Sequence, residues 1–131
     1  MTLRQRIASG SPYEPIIGFS RAVRIGDRVL VSGTAPVWPD GSVSPDVSVQ
    51  ARRCWELVGT ALRQAGADLS DVVRTRMYLT DAKFAEAVGA VHREVFGAVL
   101  PAATMVVVAA LLDPRWLVEV EAEAITNTAT T

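Results

Sequence analysis

The sequence predicts an α+β fold in which two helices cover one face of a single β-sheet. Several segments alternate between apolar and polar residues, which is typical of strands with one buried face. Two other segments repeat apolar residues every three or four positions, which is typical of amphipathic helices. With 131 residues, 50% of them hydrophobic, the chain can bury one sizeable core. We therefore expect one domain over residues 1–131.

The N-terminal part of the chain is expected to be irregular and then to form a hairpin. Glycines and prolines interrupt residues 1–18, which we interpret as an irregular lead-in. Two strands, Ser20 to Ile25 and Arg28 to Gly33, flank Gly26-Asp27, a dipeptide that favours a two-residue hairpin turn. Residues 34–45 contain three prolines and a glycine and are predicted to be a loop.

The first helix is predicted to begin at Asp46 or Ser48, either of which can accept a hydrogen bond from the free N–H groups of a first turn. It runs to about Ala65, and Gly66 provides the left-handed stop. Its apolar stripe consists of Ala51, Cys54, Val58, Ala61, Leu62 and Ala65. Because Cys54 lies on this stripe, it is interpreted as a small core residue rather than a nucleophile.

A third strand and a second helix follow. Asp71 to Asp81 alternates, and Asp81 can cap a helix that Gly97 ends. The helical stripe is Phe84, Val88, Val91 and Val95. His92, the only histidine, lies beside this stripe and invites a general-base or metal role. No second metal ligand stands one turn away, so a histidine with satisfied hydrogen bonds at the helix edge is favoured.

The C-terminal part is predicted to form the middle of the sheet. Residues 104–111 are apolar at nearly every position, so both faces of this strand should be covered. From Trp116 the next strand alternates, with Val118, Val120, Ala122 and Ala124 on one face and Leu117, Glu119, Glu121 and Glu123 on the other. Two helices cover only one face of a sheet, so we expect the sheets of several subunits to pack in a closed homo-oligomer.

Three glutamates on one strand face would repel one another unless water, arginines or a function accommodates them. Arg24, Arg74 and Arg76 on polar strand faces are plausible partners, and we expect structural ion pairs for Glu121 and Glu123. The same face is where a functional carboxylate is expected.

Composition excludes several classes of function. Thirteen basic and fourteen acidic residues, without a basic cluster, argue against nucleic acid as a partner. No apolar run suits a signal peptide or a membrane span, so we expect a cytoplasmic protein without a membrane partner. One cysteine excludes an internal disulfide, and no metal-ligand set, nucleotide-binding loop or nucleophile–base set is apparent, so no cofactor is expected.

Short motifs occur in a distinctive order past residue 18. They are Phe19-Ser20-Arg21-Ala22-Val23, Ile25-Gly26-Asp27 with Val29-Leu30-Val31-Ser32-Gly33, Gln50-Ala51-Arg52, Ala65-Gly66-Ala67 with Asp71-Val72-Val73-Arg74-Thr75, Leu79-Thr80-Asp81, Pro101-Ala102-Ala103-Thr104 and Val118-Glu119-Val120-Glu121-Ala122. In order and spacing they resemble the Rid family of reactive intermediate deaminases, also called YjgF-like. The resemblance implies a chorismate-mutase-like fold and a barrel-like homotrimer with three clefts between subunits.

The resemblance also implies a site and a reaction. In deaminating members a cleft arginine binds the carboxylate of an enamine or imine, and a glutamate places the attacking water, giving a 2-keto acid and ammonia. Glu119 and Ser32 match family positions and are the candidate catalytic residues. The arginine position is Ala103, the tyrosine position is Phe19 and an asparagine position is Gly89.

Two further residues complete the candidate cleft. Arg21 stands where the family usually has glutamine and could supply a replacement guanidinium; the alternative is an exposed strand charge. Met105 would add to an apolar cleft lining with Phe19 and Ala103.

Three functions remain open on these residues. The first is a diverged hydrolase of a small molecule, such as a less anionic imine or enamine, in which Glu119 places water and Ser32 is a donor. The second is a non-catalytic trimer that binds a metabolite, such as a keto acid, or another protein. The third, ribonuclease activity, is disfavoured by the charge balance.

Overall fold

A computed structural model describes residues 3–128 of the chain. In chain order the main elements are β1 (Arg4–Ile7), β2 (Ala22–Ile25), β3 (Arg28–Thr34), α1 (Val47–Gln64), β4 (Val72–Leu79), α2 (Ala85–Phe96), β5 (Ala102–Val107) and β6 (Val118–Ile125). The strands form one mixed sheet in the order β1-β2-β3-β6-β4-β5, in which only β4 and β5 are parallel neighbours. The predicted α+β class is confirmed.

The core lies between the sheet and the two helices. The alternation of β6 is confirmed, because Val118, Val120, Ala122 and Ala124 are buried on the side that α1 covers. Trp55, Phe96 and Leu62 are the largest fully buried side chains, and Cys54 is also fully buried. The opposite face of the sheet has no covering element among residues 3–128.

The helix ends follow the capping residues. The Asp46 side chain accepts hydrogen bonds from the amides of Ser48 and Val49, at 2.8 and 3.2 Å, and so begins α1. Gly66, with φ +81°, follows the end of α1 in the left-handed conformation that glycine adopts without steric cost. Asp81 caps a short 3₁₀ turn, Ala82–Phe84, that leads directly into α2.

The prediction of an irregular lead-in over residues 1–18 is wrong where the chain forms β1. Arg4–Ile7 pairs antiparallel with β2, and Glu14–Gly18 forms a single π-helical turn. The element order is therefore β-β-β-α-β-α-β-β, one strand more than predicted. A free sheet edge offers unpaired N–H and C=O groups to any extended segment, so this strand needs little apolar content of its own.

The prediction that the apolar strand lies in the middle of the sheet is also wrong. The strand runs over Ala102–Val107 rather than residues 104–111, and it forms an edge that pairs only with β4. Val106 and Val107 are 41% and 54% exposed in the single chain. Apolar composition indicates that a strand is covered, but it does not tell whether the same chain or another copy covers it.

Candidate functional site

The sheet face opposite the helices carries the three glutamates of β6 and the arginines of neighbouring strands. Arg76 Nη1 lies 3.8 Å from Glu121 and 3.6 Å from Glu123, and Arg28 contacts Glu123 at 3.0 Å. The expected ion pairing of Glu121 and Glu123 is therefore confirmed with Arg76. Arg24 was wrongly expected to be a partner: it lies on the helix side and donates to the Ala65 carbonyl at 2.7 Å.

Glu121 is further engaged by Tyr78, whose hydroxyl donates a hydrogen bond to the carboxylate. This hydrogen bond, together with burial, raises the pKa of Tyr78. Glu121 and Glu123 are thus tied to side chains of their own sheet. Glu119 makes no hydrogen bond or ion pair within residues 3–128, and it is the glutamate of β6 left for chemistry.

Glu119 lies against an irregular point of β3. The register between β3 and β6 shifts between Val31 and Thr34, as in a β-bulge. At this point Glu119 Oε2 lies 2.5 Å from where a Cβ atom on Gly33 would be. Burial raises the pKa of the Glu119 carboxyl; Arg21 opposes this effect and Glu121 adds to it.

Arg21 is built into the same corner of the sheet. Its Nη1 donates to the Gly33 carbonyl at 2.8 Å and to Thr34 Oγ1 at 2.9 Å, so it is not the exposed strand charge weighed as an alternative. Burial lowers the pKa of Arg21, and the carboxylates of Glu14 and Glu119 oppose this shift. The Phe19 ring centroid lies 5.5 Å from the Arg21 Cζ.

Glu14 is a site residue that the sequence analysis missed. It is buried in the π-helical turn and accepts hydrogen bonds from the amide and hydroxyl of Ser9. It lies in the segment interpreted as irregular, and no periodicity distinguishes it from an exposed loop glutamate. The carboxylates of Glu14 and Glu119 therefore both act electrostatically on Arg21.

Ser32 lies near this corner, but its hydroxyl already donates a hydrogen bond within the chain. Ser32 Oγ donates to the Ser20 carbonyl at 2.6 Å, so the oxygen remains only as an acceptor. Ser32, Phe19 and Leu30 line an open cavity of about 430 Å³. A neighbouring cavity of about 620 Å³ is lined by Glu14, Phe19 and Ser20.

The other predicted cleft residues lie elsewhere in the chain. Ala103 pairs with Thr75, whose side chain is buried under the helices, so Ala103 and Met105 belong to the helix side of β5. A Cβ atom on Gly89 of α2 would lie 4.0 Å from Met105 Cε. Glu119 is on the opposite face.

Within a single chain, the residues of the predicted cleft therefore form two separate groups. Phe19, Arg21, Ser32 and Glu119 form the first group, and Gly89, Ala103 and Met105 form the second. Two strands, β6 and β4, lie between β3 and β5. At about 4.8 Å per strand, β3 and β5 are roughly 14 Å apart.

Cys54 has the environment expected for a structural residue, and His92 is in hydrogen-bonding contact with the sheet through one ring nitrogen. Burial raises the pKa of the Cys54 thiol, which disfavours the thiolate that a nucleophile needs. His92 Nε2 lies 2.9 Å from Thr75 Oγ1, and the ring packs edge-on against Trp55. Across residues 3–128, no three His, Cys, Asp or Glu side chains are grouped so that they could hold a metal ion.

Comparisons with known proteins agree with this architecture. The model of the family described as Endoribonuclease L-PSP matches residues 10–126. A crystal structure of a YjgF/YER057c/UK114 family member from Mycobacterium tuberculosis is 44% identical, with a TM-score of 0.88 over 95% of this chain and 100% of that one.

Two relatives found by sequence have different descriptions. A protein of Streptomyces coelicolor described as uncharacterized is 39% identical and aligns with 92% of this chain and 90% of its own length. The 2-iminobutanoate/2-iminopropanoate deaminase of Salmonella typhimurium is 33% identical and aligns with 94% of this chain and 97% of its own length. No helix within residues 3–128 has the length and apolarity needed to cross a membrane.

Proposed function

Because the chain belongs to the Endoribonuclease L-PSP family, which includes the YjgF and RutC proteins, we propose that it hydrolyses small imines or enamines that lack a free carboxylate. The observation that carries this proposal is Glu119, a partly buried carboxylate with a raised pKa beside Arg21. A carboxyl of this kind can exchange protons with substrate and water nearer to neutral pH than an exposed one.

The proposed reaction uses Glu119 as the group that places water. Its carboxylate accepts a proton as water attacks the iminium carbon, which forms a C–O bond and gives a carbinolamine. Return of the proton to nitrogen then breaks the C–N bond, so that iminium and water become a carbonyl compound and ammonium. No metal or cofactor is needed for this balance.

The substrate class follows from the cations near the site. Ala103 has no donor, and the guanidinium of Arg21 already donates hydrogen bonds within its own sheet. Arg4 and Arg6 line the cavity beside Phe19 and Ser32, in the first group, so the guanidinium that the resemblance places in the second group is missing at its own position. This argues for a neutral substrate rather than the 2-imino acid of the related deaminases.

The proposed cleft lies between subunits of a homotrimer. Its two groups of residues lie on opposite faces of one chain, so a second copy is needed to bring Glu119 near Ala103. Exposed apolar side chains on the uncovered face and on β5, among them Ile25, Leu30 and Val106, support burial against other copies. Each chain would act as one domain of this assembly. A stable monomer in light scattering would contradict it.

A non-catalytic binding protein is the second candidate. It is favoured by the Ser32 hydroxyl, whose proton is held by the Ser20 carbonyl, and by the apolar side chains of Phe19, Ala103 and Met105. In this case the trimer would bind a small neutral metabolite, or another protein, without turnover. The near-neutral charge gives no support for the ribonuclease activity that the family description mentions.

Two imines that differ only in the carboxylate test the proposal. Base-promoted loss of HCl from N-chloroalanine gives 2-iminopropanoate, and the N-chloroalanine methyl ester gives its neutral ester. We expect the protein to accelerate decay of the ester imine above the buffer rate, with much less effect on 2-iminopropanoate. Glu119→Gln should abolish the acceleration. If neither imine decays faster, the binding protein is favoured; acceleration that survives Glu119→Gln contradicts the role of Glu119.

A further inference from the structure

His92 lies directly over the strand pair that contains Ala103. Its Nε2 is 2.9 Å from Thr75 Oγ1, and Thr75 pairs with Ala103 across β4 and β5. His92 is one helical turn after Gly89, the residue that faces Met105. The only histidine of the chain therefore lies on the same side of the sheet as the second group of cleft residues, which includes the position where the family resemblance places a guanidinium.

The hydrogen bond to Thr75 indicates which ring nitrogen carries the proton. Thr75 is fully buried, and within residues 3–128 the only hydrogen-bond partner of its hydroxyl is His92. A buried hydroxyl proton is rarely left without an acceptor. The arrangement that gives this proton an acceptor has Thr75 donating to Nε2 and the proton of the neutral ring on Nδ1.

The Nδ1 atom of His92 is not completely buried. Among residues 3–128 it has no hydrogen-bond partner, and it is not one of the buried side-chain nitrogens that lack one. Trp55 and Phe96 pack against the ring, with centroid distances of 5.7 and 4.8 Å, and limit its rotation. Ala103, the strand neighbour of Thr75, is exposed and has only a methyl group as its side chain.

We propose that His92 is a specificity-determining residue whose Nδ1–H donates a hydrogen bond to a neutral acceptor of the ligand, such as an ester or ketone carbonyl. The proposal rests on the proposed function, because the proposed cleft is where that ligand binds. An uncharged donor does not compensate the charge of a carboxylate that leaves water, whereas a guanidinium at the position of Ala103, as the family resemblance implies, would do so. Thr75 is then a positioning residue that fixes the tautomer of His92.

The tautomer can be measured without any activity. Two-bond ¹H–¹⁵N correlation spectra of protein labelled on histidine distinguish Nδ1–H from Nε2–H, and the single histidine makes the assignment direct. We expect Nδ1–H in the wild-type protein and a shift toward Nε2–H in Thr75→Val. Thr60→Val, at an exposed position of α1, is the matched control and should leave the tautomer unchanged. A predominant Nε2–H tautomer in the wild-type protein overturns the proposal.

Ligand contact is tested with methyl pyruvate as the neutral probe and pyruvate as the anionic one. Methyl pyruvate should shift the Nδ1 resonance in a saturable way, and pyruvate should have a weaker effect. His92→Phe keeps an aromatic ring against Trp55 and should bind methyl pyruvate about five-fold more weakly, the value of one neutral hydrogen bond. An unchanged Nδ1 resonance across the titration overturns the contact.

The two proposals can fail separately. A shifted Nδ1 resonance without imine hydrolysis would support the His92 contact and contradict the enzymatic function. Hydrolysis of the ester imine at an unchanged rate in folded His92→Phe would support the enzyme and contradict the role of His92.

Discussion

Arg21 and Glu119 meet at Gly33: the guanidinium donates to its carbonyl at 2.8 Å, and the carboxylate occupies the space that a Cβ atom there would need. Gly33 lies in the stretch of β3 where the register with β6 shifts, and it has no side chain that would exclude the Glu119 carboxylate. The position of the candidate catalytic carboxylate thus depends on one glycine and one arginine.

Gly33→Ala should move Glu119 with little effect on the fold. The added Cβ atom would lie 2.5 Å from Oε2, the far end of a flexible side chain, and Gly33 does not need a left-handed backbone. We expect the free energy of unfolding to fall by about 1 kcal/mol. Imine hydrolysis should fall about 100-fold, as is typical when a reacting group is displaced by an ångström. Thermal melts and the ester-imine assay measure the two effects.

The same substitution in the Glu119→Ala background is its control. Without the carboxylate there is nothing to displace, so Gly33→Ala should no longer lower the free energy of unfolding. If the two losses of unfolding free energy are additive, Gly33 acts on something other than Glu119.

The raised pKa of Glu119 predicts a pH dependence of stability with a definite sign. The folded carboxyl holds its proton to a higher pH than the unfolded one, so stability falls as the pH rises from 4.5 through the folded pKa. Glu119→Gln removes this cost. The free energy of unfolding of Glu119→Gln should therefore increase relative to that of the wild-type protein as the pH approaches neutrality. Urea unfolding at several pH values measures this difference.

Glu86→Gln, on the exposed side of α2, controls for the loss of one negative charge.

In the wild-type protein, imine hydrolysis should increase over the same pH range in which stability falls, because the carboxylate is the form that accepts a proton from water. If activity instead decreases as Glu119 ionises, the protonated carboxyl is the catalytically active form.

Much of the sheet could be predicted from the sequence because the alternation of residues along β6 shows which of its side chains are buried. Val118 and Val120 alternate with Glu119 and Glu121, and a period of two defines both faces of a strand. The edge position of β5 could not be predicted. Its apolar residues indicate that it is covered, but strand order is set by pairing with β4, which local composition does not encode.

The candidate site was predictable only in part for a similar reason. Glu119 and Arg21 lie on strands with clear patterns, but their meeting at Gly33 depends on a register shift that no periodicity reveals. Glu14 was missed because one turn of π-helix gives too few residues for a repeating pattern. Ser32 matched a family position, yet its hydrogen bond to Ser20 depends on tertiary geometry.

Gln50 should be a strong determinant of stability. Its fully buried side chain donates to the carbonyls of Ser44 and Arg115, at 2.7 and 2.9 Å, and accepts from the Leu117 amide at 2.8 Å. Gln50→Leu would leave three backbone groups without partners and should lower the free energy of unfolding by about 3 kcal/mol or more. Urea unfolding gives this value directly.

The matched control is Gln64→Leu at the exposed end of the same helix. It should change the free energy of unfolding by less than about 0.5 kcal/mol. Equal losses for the two variants would show that the bonds of Gln50 do not hold these loops to α1.

Ala103→Arg should convert the preference of the cleft from neutral to anionic ligands. Ala103 is exposed in the single chain, so a longer side chain meets no core atoms of its own subunit. A guanidinium there can form two charge-assisted hydrogen bonds with a carboxylate, each worth about 1.5 to 3 kcal/mol, so pyruvate should bind at least about ten-fold more tightly. Ala103→Met adds comparable length without a donor and should leave pyruvate binding unchanged. Calorimetric titration with pyruvate distinguishes the two variants. If Ala103→Met and Ala103→Arg increase the affinity for pyruvate equally, the effect comes from apolar contact. The missing arginine would then not explain the substrate class.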